Sequence, residues 1–112
     1  MADEIKKSII EANPKNLVGL VEYQDGSVVS REIIRRTMGT VTVFAFDEGQ
    51  GLSEHTAPFD AMVHVLDGEA EIIIGGAPYI VAQGEAVIMP ANVPHALHAT
   101  KKFKMSLILI KA

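Results

Sequence analysis

After residue 17, glycine, Asp-Gly or proline interrupts the chain so often that no long helix fits between the breaks. The segments left between them are short and apolar, and most alternate at period two. They are LVGLVEY (17–23), SVVSREII (27–34), TVTVFAF (40–46), AMVHVL (61–66), EAEIII (69–74), YIV (79–81), EAVIM (85–89), HALHAT (95–100) and FKMSLILI (103–110). The punctuation includes Asp25-Gly26, Asp67-Gly68, Gly75-Gly76-Ala77-Pro78, Gly84 and Pro90. About nine short strands in one domain spanning 1–112 predict an all-β fold, a single antiparallel β-barrel or jelly roll. Before the strands, Ile5, Ile9 and Ala12 repeat at near-helical spacing until Asn13-Pro14. That predicts a short helix or an extended arm over 3–12.

Several runs are apolar on both faces, notably AMVHVL and SLILI. They predict strands covered inside by the opposite sheet and outside by the N-terminal segment or a partner subunit, so a homodimer is expected. Composition removes whole function classes. Zero cysteines exclude disulfides, thiolate zinc sites, Fe–S clusters and cysteine nucleophiles. A net charge of −4 argues against nucleic acid, whose affinity depends on neutralised phosphates. No apolar run approaches the roughly 20 residues of a membrane-spanning helix. Asp3 and Glu4 stand where a secretory leader carries positive charge, so the expected location is the cytoplasm.

Any metal must therefore be held by histidine, carboxylate or water, and the four histidines sort by strand parity. His95, Leu97 and Ala99 share one face of their strand, with Ala96 and His98 on the other. Ala61, Val63 and Val65 share a face, with Met62, His64 and Leu66 opposite. His64 and His98 are expected to face outward. His55 lies in GQGLSEHTAPF, a glycine-rich lead into the strand at 61–66.

At these histidines the sequence resembles the cupin family. Gly49, His55 and Gly68 match the skeleton of its first motif, over about 49–68, and Gly84, Pro90 and His95 that of its second, over about 84–99. MPANVPHAL and LDGEAEI look like small bacterial cupins of the conserved-barrel type. Metal-binding cupins supply two histidines and a glutamate from the first motif and one histidine from the second. The resemblance therefore assigns His55 and His95 as metal ligands. Ala57 and Ala61 stand where the second histidine and the glutamate would be, and are expected to line the cavity. Asn92 replaces a usual glycine and Ala99 a usual asparagine.

Two imidazoles can hold one divalent Zn, Ni, Fe or Cu weakly if waters or a substrate oxygen complete the sphere. Their nearest ring nitrogens are then expected roughly 3–5 Å apart. Asp60 and Glu54 could help only if the backbone bends, because parity favours neither. Met38, Met62, Met89 and Met105 read as core filler, and Arg31, Arg35 and Arg36, like KKFK at 101–104, as solvated strand edges. Three functions are consistent with this. One is a barrel that binds a small polar metabolite; another is a metal-dependent dioxygenase or isomerase; the third is a structural domain with a vestigial site. No Ser–His–Asp arrangement and no glycine-rich phosphate loop supports a hydrolase or nucleotide enzyme.

Overall fold

The computed structural model describes residues 7–111. Nine antiparallel strands form it: β1 (Val28–Arg36), β2 (Gly39–Phe46), β3 (Gly51–His55), β4 (Asp60–Asp67), β5 (Glu69–Ile74), β6 (Ala77–Ala82), β7 (Ala86–Met89), β8 (His95–His98) and β9 (Phe103–Ile110). They lie in two sheets, one ordered β1-β2-β9-β4-β7 and the other β3-β8-β5-β6. This is the predicted jelly roll.

Alternation within each strand builds the core between the sheets. Ala61, Val63 and Val65 of β4 meet Ala70 and Ile72 of β5, Val81 of β6 and Leu97 of β8, with Phe46, Phe103 and Met105 filling the centre. Phe46 and Phe103 are paired across β2 and β9 and stack with ring centroids 4.6 Å apart. Burying each such side chain contributes on the order of 1.5–3 kcal/mol. Turn chemistry sets the corners. At Gly68, between β4 and β5, φ is +74° and any added Cβ would meet the Lys102 carbonyl, so only glycine fits.

A second cluster lies on the outside of the larger sheet. Val43 and Ala45 of β2 and Ile33 of β1 are covered there by Val21, with Leu17, Leu20 and Tyr23 packed beside them. The cover is a strap, residues 17–23, tied at three points. Lys104 Nζ donates to the Val18 carbonyl at 2.7 Å, Tyr23 donates its hydroxyl to Asp67 at 2.6 Å, and Arg31 reaches the Leu20 carbonyl at 3.5 Å. Burial, then the hydrogen bond and the charge of Asp67, raise the Tyr23 phenol above its ordinary 10.0.

Three expectations need correction. LVGLVEY is not a strand: Leu17–Leu20 form one turn of 3-10 helix, where the Asn16 side chain caps the turn by accepting from Val18 N–H. Of the helix or arm expected over 3–12, residues 7–12 are an arm with a turn at 9–12, and residues 3–6 lie outside the described residues. KKFK is only half a solvated edge, because Phe103 is in the core and Lys104 is just 6% exposed beneath the strap. Met38 is not core filler; it sits at the β1–β2 turn, 57% exposed. Met89 and Met105 are buried, and Arg31 and Arg35 lie exposed on the edge strand β1.

Candidate functional site

The site forms where β3 and β8 pair at one edge of the smaller sheet. His55 and His95 are direct cross-strand partners. Parity alone would separate them. Leu52 pairs with Leu97, and between that pair and the histidines β3 advances three residues while β8 advances two. The extra residue is a β-bulge, and it turns His55 onto the face that Leu52 shares with the core. Gly51 opens this stretch, and a Cβ there would collide with the Leu97 carbonyl. A glycine within a strand is the one sequence sign of such a close approach.

The two rings meet edge to face, with centroids 4.4 Å apart and planes at 70°. Their Nε2 atoms are 3.2 Å apart. His95 is 5% exposed, whereas His55 is open to solvent. Each Nδ1 faces a backbone carbonyl two residues upstream, His55 that of Ser53 at 2.9 Å and His95 that of Val93 at 3.2 Å. A carbonyl only accepts, so each Nδ1 carries the proton and donates it. Each Nε2 is then left with a lone pair, and the two atoms stand 3.2 Å apart. Two lone pairs at this distance repel unless something positive lies between them, either a shared proton or a cation. A histidine whose Nδ1–H is held by a carbonyl is also the arrangement that aims Nε2 at a metal.

The separation itself fits one ion. Two nitrogens each about 2.0–2.1 Å from a cation, at tetrahedral or right angles, stand roughly 2.9–3.4 Å apart. The donor set is nevertheless short. Among the described residues, no group of three or more His, Cys, Asp or Glu is placed to hold a metal. Ala61 lies on the inner face of β4, 3% exposed, and Ala57 in the preceding loop; neither has a donor in its side chain. A four-residue site therefore does not fit, and a two-imidazole site does.

Neighbouring groups hold the loops rather than extend the ligand set. Asp60 accepts the Ala91 N–H at 2.9 Å, and the Ala57 carbonyl accepts the Asn92 N–H at 2.8 Å. Asn92 has φ +65°, a conformation that asparagine tolerates better than most residues, which explains why it can replace glycine. Glu54 is exposed. His64 lies on the outer face of β4, and His98 faces outward with Nδ1 3.5 Å from Glu71 Oε1. Sequence reasoning missed β3 as a strand, the bulge, and the carbonyls of Ser53 and Val93. Of these only the bulge had a signal, in Gly51.

A family model described as the cupin domain matches residues 42–111. A conserved protein of unknown function from Streptococcus pyogenes superposes with a TM-score of 0.90 at 38% identity, covering 100% of this chain and 98% of that one. A cupin 2 conserved barrel domain protein from Leptotrichia buccalis is 44% identical with a TM-score of 0.86 over 88% of this chain. The alignment spans 48% of that longer protein. A cupin superfamily protein from Desulfitobacterium hafniense shares the fold at 24% identity, with a TM-score of 0.88 over 98% of this chain and 100% of that one. No match was found among curated proteins. Motif spacing, two-sheet topology and a family match over more than half of the chain agree, and the protein belongs to the cupin domain family.

Proposed function

We propose that this cupin binds a small polar metabolite through a divalent cation held by His55 and His95. One observation carries the reading: two Nε2 atoms 3.2 Å apart, each on an imidazole whose Nδ1 is committed to a carbonyl. Zn, Ni, Fe or Cu suits imidazole donors. A bound cation supplies Lewis acidity and an anchor for oxygen ligands. His95, buried, fixes one donor, and His55, exposed, leaves the other side accessible. Titration of chelator-treated protein with Zn²⁺ tests this. Stoichiometric binding that disappears in His55→Ala supports it, and heat or absorbance changes equal in the variant and the parent refute it.

The outer face of the larger sheet supports a second proposal, a homodimer. Val41, Ile108, Met62 and Ile88 stand in register across β2, β9, β4 and β7. Toward β7 nothing among the described residues replaces the strap, and Ile88 is 51% exposed. Sedimentation showing only a 12.1 kDa species at tens of micromolar would end this proposal.

A further inference from the structure

Two loops flank the histidine pair, residues 56–59 between β3 and β4 and residues 90–94 between β7 and β8. The second runs Pro90-Ala91-Asn92-Val93-Pro94, so it has three backbone N–H groups, and all three are bonded. Val93 N–H donates to the Pro90 carbonyl at 3.3 Å and closes a turn within the loop. The other two cross to the far side. Asn92 N–H donates to the Ala57 carbonyl at 2.8 Å, and Ala91 N–H donates to Asp60 Oδ1 at 2.9 Å. The loop that ends at His95 is thus tied to the segment that follows His55. Of the two ties, the one at Asp60 is made by a side chain.

What this loop delivers to the site is one carbonyl. Val93 O accepts Nδ1–H of His95 at 3.2 Å, which keeps the ring proton on Nδ1. That length is at the outer end of the usual N–H···O range, so a small displacement of the loop breaks the bond. An imidazole freed from such a bond favours the opposite tautomer, with the proton on Nε2. His95 would then donate to His55 Nε2, 3.2 Å away, and the two rings would satisfy each other and close the site. The carbonyl is secured on one side, where Gly75 N–H donates to the Pro94 carbonyl at 2.8 Å. On the other side lies Asn92 at φ +65°, a left-handed conformation that persists where surrounding bonds hold it. There the loop depends on the ties to Ala57 and Asp60.

We propose that Asp60 is a positioning residue for the histidine site. By holding Ala91 it fixes the Val93 carbonyl, and the carbonyl keeps the His95 proton on Nδ1 and Nε2 unprotonated. The proposal rests on the reading of His55 and His95 as the site. It requires an oxygen acceptor at position 60 and not a charge, so Asp60→Asn preserves the function and Asp60→Ala does not.

NMR of the ring nitrogens in the metal-free chain tests it, because protonated and unprotonated imidazole nitrogens resonate far apart. Spectra are taken at about pH 8, above the ordinary histidine range, with His64 and His98 as internal references. His95 Nδ1 is expected to be protonated in the parent and in Asp60→Asn. In Asp60→Ala its signal is expected to move toward the unprotonated position while the two references stay in place. Zn²⁺ affinity is expected to fall about tenfold in Asp60→Ala and to return in Asp60→Asn. An unchanged Nδ1 signal in Asp60→Ala overturns the proposal, and so does an Asp60→Asn spectrum that matches Asp60→Ala. Amide exchange in the parent decides the matter if Asp60→Ala fails to fold. Protection of both Ala91 and Asn92 N–H supports the tie, and Ala91 exchanging like an unbonded amide overturns it. The Nδ1 signal is read whether or not Zn²⁺ binds, so failure of the cation reading shows separately, as no binding in any of the three chains.

Discussion

Strand β8 has a histidine at each end, and the two occupy different chemical settings. His95 points into the barrel and faces another imidazole; His98 points out and faces the Glu71 carboxylate. Both contacts are cross-strand pairs, one on each side of the strand. The outer pair needs nothing further, since a carboxylate stands beside the ring and water reaches both. The inner pair is left with two unprotonated nitrogens close together beside the core. The partner across the ladder, and not the residue type, decides whether a histidine is a surface contact or an unfinished binding site.

Removing one inner ring should break that contrast most completely. His55→Ala is expected to abolish Zn²⁺ binding, a loss of about 100-fold or more by calorimetry, with little change in stability. His95→Ala is expected to lose the same binding and also about 2–3 kcal/mol of stability in urea melts, because a buried ring leaves a cavity and an unpaired carbonyl. Equal stability losses in the two variants would contradict their unequal burial.

A deletion tests whether the bulge makes the difference. Removing Glu54 leaves His55 two residues from Leu52, so ordinary alternation alone keeps its ring on the inner face opposite His95. Zn²⁺ binding should therefore be retained to within about tenfold, and the far-ultraviolet circular dichroism should persist. Binding lost as completely as in His55→Ala would show that the register does not by itself place the ring.

Tyr23→Phe gives a reference for a hydrogen bond distant from both histidine pairs. Loss of the bond to Asp67 is expected to cost about 1 kcal/mol at neutral pH, read by denaturant melts. The phenol pKa is raised on folding, so its contribution is complete below the unfolded value of 10.0 and declines as pH rises above it. The parent and Tyr23→Phe should therefore converge in stability above about pH 10, and a constant gap up to pH 12 would refute the assignment.

The smallest effect is expected on the outside of β8. His98→Ala and Glu71→Gln should each change stability by no more than about 0.5–1 kcal/mol, as a half-exposed pair does, and leave Zn²⁺ binding unchanged. A large effect of either would mean that the two ends of β8 are not independent.

Most of the fold was legible because period two survives in β4, β5, β8 and β9, and Asp67-Gly68 marks a corner that tolerates nothing bulkier. LVGLVEY misled because Leu17, Leu20 and Val21 cover the outer face of the larger sheet equally well from a helical turn. β3 escaped notice because none of its side chains is fully buried, so it shows no apolar alternation. His95 could be placed by parity from Leu97 and Ala99. His55 could not, since counting from Leu52 without the bulge sends it to the wrong side. Lys104 was misread for a related reason: a lysine looks solvated in sequence until a carbonyl such as that of Val18 is brought over it.

The edge position of β3 has a consequence for access. Five residues long and bonded only to β8, the strand has little apolar burial to hold it down, so it belongs to the part of the molecule that opens most readily. His55 lies at its last residue and His95 on the inner strand β8, so the site is divided between an edge strand and one paired on both sides. Entry and escape of anything bound there need only a fraying of β3, with the rest of the barrel closed. An occupant that bridges the two rings would act as a rivet and slow amide exchange across Gly51–His55 while leaving β4 and β9 untouched.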